Sequence, residues 1–374
     1  MEVQTSLAQL RKQRGISVAG LAAAIGVSRQ TVYAIESQSY LPNTALALKL
    51  ARALGVGVEQ LFRLEEDARA PLRTEDVQVL AGAGDAQPGQ ALQLCNVDGQ
   101  LIGAFPEPGT WGLPQADAIL LGPTRKAPRG KKLKAGIFKE DWQSDDRVLI
   151  AGCDPAAAVL AEYLRRQGVE LVIAYQNSSR ALQLLKDGVI HIAGTHLLDE
   201  KTGECNLPKI HRMFGKESVA VIAFAVWEEG IVTRAGNPKG IHGVADFVRR
   251  DLKIINREAG AGCRHLLDSF LHRLGIAAKN VHGYERVALG HLPAARQVQS
   301  GEVDCCISTR AAARVFGLDF IPLATKRYDL VVRRSHLKLP QVEILFETLA
   351  RAPLRRRLEA CAGYDMGPAG DRMM

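Results

Sequence analysis

Two groups of residues in this sequence have the types and spacing that molecular recognition requires. The first is the triplet Arg29-Gln30-Thr31, which directly follows Ser28 at the predicted start of a helix. In the major groove of DNA an arginine can pair with guanine and a glutamine with adenine, each through two hydrogen bonds. The second group lies where predicted strands lead into predicted helices, at positions whose unpaired backbone N–H groups attract anions. Its members are Cys153, Asp154, Asn177, Ser178, Ser179, Gly260, Ala261, Gly262 and Cys263.

The triplet lies in residues 5–62, where the apolar pattern predicts five short helices. Ser17 is expected to cap the second helix and Ser28 the third, because a serine hydroxyl can accept a hydrogen bond from the first turn. Only Gly26-Val27 separates these two helices, which is typical of a helix-turn-helix. In that motif the first residues of the second helix of the pair enter the major groove.

The third helix has an apolar face and a polar face. Val32 and Ile35 are expected to point into the core, so the other positions remain exposed to a partner. The predicted base-reading residues are Arg29, Gln30, Thr31 and Tyr33. Ser37, Gln38 and Ser39 follow the helix and are predicted to contact phosphates, which sets the register without reading sequence.

Residues 6–62 resemble the lambda-repressor-like (XRE-type) helix-turn-helix family, on the stretches "LRKQRGISVAGLAAAIGVSRQTVYAIES", "YLPNTALALKLARALGV" and "LF". The resemblance implies a DNA-binding domain at residues 1–64 and a structural pair between Arg11 and Glu36. Relatives usually carry a phosphate-contacting Gln where this chain has Val18, so that contact is not assigned. A helical protein-interaction module is the alternative interpretation of this domain.

Charge supports a polyanionic partner. Residues 1–64 have seven Arg and Lys against three Glu, which places half of the chain's net charge of +8 in this short segment. No apolar run is long enough to span a membrane and no export signal is recognised, so the expected compartment is the cytoplasm, with no membrane partner. The seven cysteines are an odd number in a large chain, which predicts free thiols.

The middle of the chain is predicted to connect two domains. Residues 65–74 are an acidic, Pro-containing linker, and residues 75–140 are rich in Gly and Pro with short apolar runs that predict a small β-rich unit. The basic run 125–134 is either a solvated loop or a second DNA contact.

From residue 147 onward strands and helices alternate, which predicts parallel sheets with helices on both faces. The pattern is interrupted around 200–240, so we expect a two-lobed α/β domain over residues 147–362. The fold class is therefore multi-domain: an all-α five-helix domain, a β-rich connector and a two-lobed α/β domain. Ligands of open α/β sheets bind at the carboxyl ends of the strands, where the second group of residues lies.

This last domain resembles the periplasmic-binding-protein-like (PBP-like) domain related to molybdate-binding proteins. The matching stretches are "GCDPA", "IHIAGTHLLDEKTGE", "GNPKGI", "INREAGAGCRHLLD", "GYERVALGHLPAA" and "LDFIPLATKRYDLVV". The resemblance implies a cytoplasmic, ligand-responsive transcription regulator whose effector is a tetrahedral oxyanion such as molybdate or tungstate. Arg257 and Arg264 could supply positive charge to such an anion.

The predicted ligand loop departs from the family pattern Gly-Ser-Gly-Thr-Arg. Ala261 and Cys263 stand at the hydroxyl positions and only Arg264 matches, while Gly290-His291 replaces a Thr-His pair. A thiol suits softer ligands than a hydroxyl does. The alternative function is therefore a thiol-based sensor of a soft metal ion, or of another small ligand, through Cys263 and Cys153, with His291.

The remaining histidines of the motif "IHIAGTH", His191 and His196, are predicted to make structural hydrogen bonds. The sequence contains no nucleophile elbow, phosphate loop or HExxH motif, so we expect no catalytic residue, no resident metal and no cofactor beyond the effector. The overall prediction is a homodimeric transcription regulator that binds an operator in double-stranded DNA and is controlled by a small ligand.

Overall fold

The computed structural model describes residues 3–64, 72–80, 86–106, 115–121, 132–139, 146–199, 202–215 and 217–374. They form two compact units, Met1–Leu72 and Arg73–Met374. Most of the predicted linker and residues 125–131 of the basic run lie outside the described residues.

The first unit contains the five predicted helices: α1 (Leu7–Gln13), α2 (Val18–Ile25), α3 (Arg29–Glu36), α4 (Thr44–Leu54) and α5 (Val58–Leu61). The predicted caps of α2 and α3 are confirmed, because Ser17 accepts from the Gly20 N–H and Ser28 from the Thr31 N–H. Each α-helix contributes to one apolar core around Leu21, Val32 and Leu50. Among the described residues no single helix is long and apolar enough to cross a membrane. The bent pair α2–α3 reaches that length and apolar composition only when its two helices are taken together.

The helical unit also contains a small sheet that the sequence did not predict. Strand β1 (Val3–Thr5) pairs antiparallel with β2 (Phe62–Leu64), so the two ends of the helical unit are joined by a small sheet. Three-residue strands are too short to produce a readable alternation of apolar and polar residues, and their pairing bridges positions almost sixty residues apart.

The predicted β-rich unit is a closed barrel with the strand order β3-β5-β4-β6-β7. Its strands are β3 (Arg73–Leu80), β4 (Ala91–Val97), β5 (Gln100–Ala104), β6 (Ala118–Leu120) and β7 (Lys132–Ile137). Strand β3 starts inside the segment predicted as linker. The sequence missed this start because the polar stretch "RTED" has no apolar pattern of its own. It is held instead by pairing with β7 and β5.

The barrel belongs to the same compact unit as the α/β domain and is therefore more than a connector. Arg147, which starts the α/β domain, donates to the Leu94 carbonyl and forms an ion pair with Asp117, both in the barrel. Arg147 is 3% exposed. Barrel residues such as Val97 and Ile102 also share an apolar core with the α/β domain.

The α/β domain is built on an eight-stranded sheet of order β13-β12-β14-β11-β15-β10-β8-β9. Its strands are β8 (Arg147–Gly152), β9 (Glu170–Tyr175), β10 (Ile192–Thr195), β11 (Val219–Thr233), β12 (Ile254–Arg257), β13 (Val287–Ala288), β14 (Cys305–Thr309) and β15 (Asp319–Arg333). The α-helices are α6 (Ala157–Arg165), α7 (Ser178–Asp187), α8 (Leu207–Phe214), α9 (Gly262–Arg273), α10 (His291–Gln299), α11 (Arg310–Val315), α12 (Pro340–Leu349) and α13 (Ala352–Ala362). Short 3-10 helices span Val244–Val248, Ala278–Asn280 and Arg334–Lys338.

Strands β11 and β15 correct the prediction of parallel sheets. Each has 15 residues, and they pair antiparallel with each other along their whole length. The sequence had indicated two strands, "DFIPLA" and "YDLVV", where β15 runs without a break. Polar Thr325, Lys326 and Arg327 interrupt the apolar pattern in the middle of β15, which is where the strand passes between two lobes.

The two lobes have separate apolar cores. In the first lobe the cores contain Ile150 and Leu185, on strands and helices between β8 and β10. In the second they contain Leu267 and Val298, on α9 and α10. Residues after 362, beyond the predicted domain end, pair with β11 through the bridges Val226–Asp365 and Ile222–Arg372, so the domain continues through the described C-terminal residues.

Candidate DNA interface and ligand cleft

Helices α2 and α3 form the predicted helix-turn-helix, with a bend of 109° between them. Val32 and Ile35 are buried in the core of the unit, as their spacing predicted. Arg29, Gln30 and Tyr33 are exposed, with Tyr33 at 58% of its full area. Helix α3 therefore presents a guanidinium, an amide and a phenol on one surface.

The predicted pair of Arg11 and Glu36 is present. Two guanidinium nitrogens of Arg11 donate to the two carboxylate oxygens of Glu36, at 2.6 and 3.2 Å, and a third donates to the Ile16 carbonyl. Both side chains are about 10% exposed. The pair ties α1 to the end of α3 and so fixes the angle at which α3 presents its exposed face.

The smaller polar residues of this surface are partly occupied within the protein. Thr31 is half-buried and its hydroxyl lies 2.9 Å from that of Ser28. The hydroxyls of Ser37 and Ser39 lie 3.0 Å apart and both donate to the Ala34 carbonyl. Gln38 is exposed, at the left-handed backbone angle φ 61°. Arg29 and Gln30 therefore offer the most complete sets of free side-chain groups.

A cleft of about 360 Å³ lies between the lobes of the second unit. The first lobe contributes side chains that follow β8 and β9, and the second contributes side chains that follow β12 and β13. The lining residues are Cys153, Pro155, Tyr175, Gln176, Asn177, Arg257, Glu258, Ala259, Leu289, Gly290, His291, Leu292 and Pro293. The Asn177 amide donates to the Ala259 carbonyl at 3.4 Å, so the two lobes are in contact across the cleft.

Arg257 is the buried cation of this cleft. It is 2% exposed, and its Nε and Nη2 atoms donate to the carboxylate of Glu258 at 2.9 and 3.0 Å. Although burial opposes the charge, the hydrogen-bonded Glu258 carboxylate raises the pKa of Arg257 above its usual value. Its Nη1 atom is buried and has no hydrogen-bond partner among the described residues. Arg257 thus lines the cleft and has one charged donor that no described residue satisfies.

Four of the residues predicted to bind ligand line the cleft: Cys153, Asn177, Arg257 and His291. The other eight, which are Asp154, Ser178, Ser179, Gly260, Ala261, Gly262, Cys263 and Arg264, are not among its lining residues.

Two of those eight have structural partners. Asp154 is buried and accepts hydrogen bonds from the Tyr364 hydroxyl and the Ala156 N–H. Burial raises the pKa of Asp154 to about 6, although these two bonds lower it. Ser178 is fully buried, and its hydroxyl accepts from the His196 N–H at 3.2 Å. Both residues hold the first lobe together.

The residues of the predicted ligand loop also pack inside the domain. The Arg264 guanidinium lies over the Tyr284 ring at 4.8 Å and donates to the Arg257 carbonyl. Cys263 is 1% exposed, and burial raises the pKa of its thiol well above the usual value. Its Sγ atom lies 3.8 Å from His291 Nδ1, so this thiol packs against His291 and is not among the lining residues of the cleft.

Two glycines beside the predicted ligand residues occupy positions where a side chain would be strained or would clash. A Cβ atom on Gly262 would lie 2.4 Å from the His196 ring, so α9 can approach that ring only if a glycine begins the helix. Gly290 has φ 115°, a conformation that a threonine rarely adopts, and it directly precedes His291 at the start of α10.

Beneath the cleft lies a connected group of buried polar side chains that the sequence did not reveal. His196 Nδ1 is 2.6 Å from the Glu229 carboxylate, whose other oxygen is 2.8 Å from Lys326 Nζ. Side-chain exposure is 2% or less for all three. Although burial opposes ionisation, Lys326 and His196 lower the pKa of Glu229. Glu229 raises the pKa of His196, but burial lowers it by more, so the pKa is below its usual value and the ring is neutral.

Cys153 connects this buried polar group to the cleft. Its Sγ atom lies 3.2 Å from His196 Nε2, and burial raises the pKa of the thiol to about 12. A cysteine, a histidine and a carboxylate in sequence also occur in thiol nucleophiles. A nucleophile requires a thiolate, however, and burial keeps this thiol protonated.

His291 completes the polar group from the second lobe. It is 1% exposed, and burial lowers its pKa well below the usual value. Its Nδ1 lies 3.2 Å from the Ser308 hydroxyl. Its Nε2 is buried without a partner among the described residues.

The missed residues share a common cause. Glu229 and Lys326 lie in the middle of long strands and are separated by almost one hundred positions. They meet because β11 pairs with β15, with Trp227 opposite Lys326. A charged residue in the centre of an otherwise apolar strand was the available signal.

Comparisons with known proteins agree with this architecture. A model of the PBP superfamily domain matches residues 161–350, and a helix-turn-helix model matches residues 7–61. The uncharacterized protein YvgK of Bacillus subtilis (strain 168) is 34% identical over 219 residues, which cover 58% of this chain and 70% of the relative. The uncharacterized HTH-type transcriptional regulator YgzD of the same organism is 40% identical over 65 residues, 17% of this chain and 98% of the relative.

Among solved structures, a substrate-binding protein from Clostridium perfringens with bound phosphate is similar with a TM-score of 0.45 and 14% identity. The alignment covers 58% of this chain and 98% of that chain. The family matches are the stronger finding, since one spans half of the sequence. The chain belongs to the PBP superfamily, and it joins a PBP-like ligand-binding domain to an N-terminal XRE-type helix-turn-helix domain.

Proposed function

We propose that this chain regulates transcription by binding an operator through α3, and that an oxyanion of the molybdate or tungstate class controls this binding from the cleft. The observation that carries the proposal for the ligand is Arg257 Nη1, a buried cationic donor without a partner among the described residues, at the wall of the cleft. A buried donor of this kind is costly unless a ligand or water satisfies it.

The first lobe supports the same ligand charge. Asn177 lines the cleft and caps α7, a ten-residue helix whose first N–H groups carry the positive end of its dipole. The cation of Arg257 and this helix start belong to opposite lobes. An anion that contacts both would favour the closed arrangement of the domain.

On the DNA, Arg29 and Gln30 read base edges, with Tyr33 beside them, and Ser37, Gln38 and Ser39 contact the backbone. A homodimer would place two copies of α3 in half-sites about 34 Å apart. In our proposal the ligand changes the spacing of the two heads because it binds the closed and open lobes with different affinity. Strands β11 and β15 are the hinge, since both run through the two lobes.

The test begins with selection of DNA bound by the full chain from random duplexes. Operator affinity is then measured by fluorescence anisotropy with and without molybdate, tungstate, sulfate or phosphate, at fixed ionic strength. We expect one class of oxyanion to change the affinity about 5- to 150-fold, the usual range of allosteric coupling. If the operator affinity under each of the four saturating anions equals that of the anion-free protein, the control mechanism is overturned. Failure to select any sequence would overturn operator binding.

The location of the ligand is tested with a matched pair of variants. Arg257→Gln removes the unpartnered donor of the cleft, and we expect it to weaken the anion by at least about tenfold in isothermal calorimetry. Arg264→Gln removes the arginine that packs on Tyr284 and should leave the anion affinity within about twofold. Equal losses in both variants would contradict the assignment to Arg257.

A further inference from the structure

One group of side chains is not explained by anion binding. Cys153 follows β8, His196 follows β10 and His291 begins α10, so two residues come from the first lobe and one from the second. One ligand atom from each lies within 4.8 Å of the other two, and all three residues are buried. Two neutral imidazoles and a thiol at the base of a cleft are donors for a metal ion rather than for an oxyanion.

The spacing fits a four-coordinate ion. With bonds of about 2.3 Å to sulfur and 2.0–2.1 Å to nitrogen, a tetrahedral ion holds its ligand atoms roughly 3.3–3.6 Å apart. The distance between Cys153 Sγ and His196 Nε2 is 3.2 Å. A small outward movement of the side chains would therefore admit the ion.

The surroundings of His196 prepare it as a ligand. Glu229 lies 2.6 Å from Nδ1, which places the ring proton there and directs the lone pair of Nε2 toward Cys153. Histidine ligands commonly have a carboxylate in this position. Lys326 neutralises Glu229 at 2.8 Å, so the buried carboxylate does not repel a thiolate.

His291 supplies the second, independent sign of a ligand. It is 1% exposed, and its Nε2 atom has no partner among the described residues. Its Nδ1 atom is already next to the Ser308 hydroxyl, at 3.2 Å, so a ligand would be held by the other nitrogen.

We propose that Cys153, His196 and His291 bind a divalent ion of the zinc class and so link the two lobes. On binding, the Cys153 Sγ–H bond breaks, the sulfur–metal bond forms and the proton leaves to solvent, with no change of oxidation state. Three protein ligands leave one position for water or an anion. The inference rests on the proposed function in that the same cleft receives the effector, whose anionic part would complete the coordination.

The test uses full-length, metal-free, reduced protein and Co²⁺ as a spectroscopic probe of a zinc site. We expect one equivalent of Co²⁺ to give a thiolate-to-cobalt charge-transfer band together with tetrahedral ligand-field bands, both displaced by Zn²⁺. Absence of a thiolate band at one equivalent of Co²⁺ in the wild-type chain would overturn the proposal.

The ligands are identified by matched substitutions. Cys153→Ser should remove the charge-transfer band, whereas Cys361→Ser, at an exposed thiol, should leave it unchanged. His196→Gln and His291→Gln should each weaken Zn²⁺ by at least about tenfold, and His272→Gln, at an exposed ring, should not. Circular dichroism verifies that each variant is folded. A folded Cys153→Ser protein that keeps the band would assign the thiolate elsewhere and overturn the site.

The same variants separate this inference from the proposed function. Arg257→Gln should lose the oxyanion response and keep the cobalt band, because it removes no metal ligand. If the wild-type chain binds oxyanion but shows no cobalt band, the metal site is wrong and the oxyanion cleft stands. If it shows the band but no anion changes operator affinity, the metal site stands and the proposed oxyanion control is wrong.

Discussion

Arg29 and Gln30 lie exposed on one eight-residue helix, whereas Glu229, Lys326 and His196 are buried and come from three segments of the second unit. The first arrangement depends on local helix geometry and on a core that keeps α3 in place. The second depends on a sheet that carries charges into a dry interior and pairs them there. Substitutions in the helix-turn-helix should therefore change recognition with little effect on stability, and substitutions beneath the cleft should change stability first.

The largest expected effect is that of Glu229→Gln. It leaves Lys326 as a buried charge without its carboxylate, which costs about 3–5 kcal/mol of the free energy of unfolding. Glu228→Gln is the control, because the side chain of Glu228 is 34% exposed and its pair with Arg310 is worth at most about 1 kcal/mol. Urea unfolding followed by tryptophan fluorescence measures both, since the three tryptophans all lie after residue 72. Similar losses in the two variants would contradict the contrast.

The second effect is that of pH on the stability of the second unit. All nine histidines lie after residue 72, so none of them belongs to the helix-turn-helix. Burial lowers the pKa of His191 to about 4 from 6.5, with a smaller contribution from His336 and an opposing one from Asp98. The unfolded chain thus binds more protons than the folded chain between these two pH values. The contribution of His191 to stability is therefore complete above pH 6.5 and is lost as pH falls toward 4. At pH 5 the loss from His191 alone is about 2 kcal/mol.

Two variants check this pH dependence. His191→Asn keeps an acceptor for the Leu149 N–H but does not titrate, so its urea midpoint should vary less between pH 7 and pH 5. His272→Gln, at an exposed ring, should vary as the unmodified chain does. An unaltered pH dependence in His191→Asn would remove this histidine from the explanation.

The third effect is on recognition. Arg29→Ala should reduce discrimination between the operator and scrambled DNA by about 1–3 kcal/mol, the value of one bidentate base contact. Because Arg29 is exposed, the melting temperature should stay the same. Arg52→Ala, an exposed arginine on α4, is the control for lost charge and should weaken both DNAs equally. Unchanged discrimination by Arg29→Ala would refute base reading.

The smallest effect concerns the caps of α2 and α3. Ser17→Ala and Ser28→Ala should each cost about 1 kcal/mol of local stability, because each hydroxyl accepts from the first turn of its helix. Hydrogen exchange of the α2 and α3 amides in the full chain measures this cost. We expect only Ser28→Ala to alter operator affinity as well, since it loosens the start of α3. Identical DNA affinities would show that the cap serves folding alone.

The sequence alone was sufficient for the helix-turn-helix because its signals are local. Ser17 and Ser28 cap helices where they were expected to, and the Arg11–Glu36 pair followed from the family resemblance. A cap joins residues three positions apart, and helical periodicity assigns each side chain to a face. The exposed position of Arg29 was therefore predictable without knowledge of any distant contact.

The ligand domain was predictable in class but not in detail. Alternating strands and helices indicated two lobes, and four of the twelve predicted ligand residues line the cleft. The continuous β11 and β15, the barrel strand β3 and the terminal pairing of β1 with β2 were missed, since each depends on pairing across the chain. His196, predicted to be structural, lies between Cys153 and Glu229.

What the sequence determined by itself is the exposed face of α3 and the pairing of a helix-turn-helix with a two-lobed domain, because periodicity, caps and family motifs depend on neighbouring residues. Only the tertiary structure decided which polar groups share the cleft and the site beneath it. Burial turns Glu229, Lys326 and the three metal-type donors into one connected group, and burial is a property of the packed chain rather than of any short stretch of it.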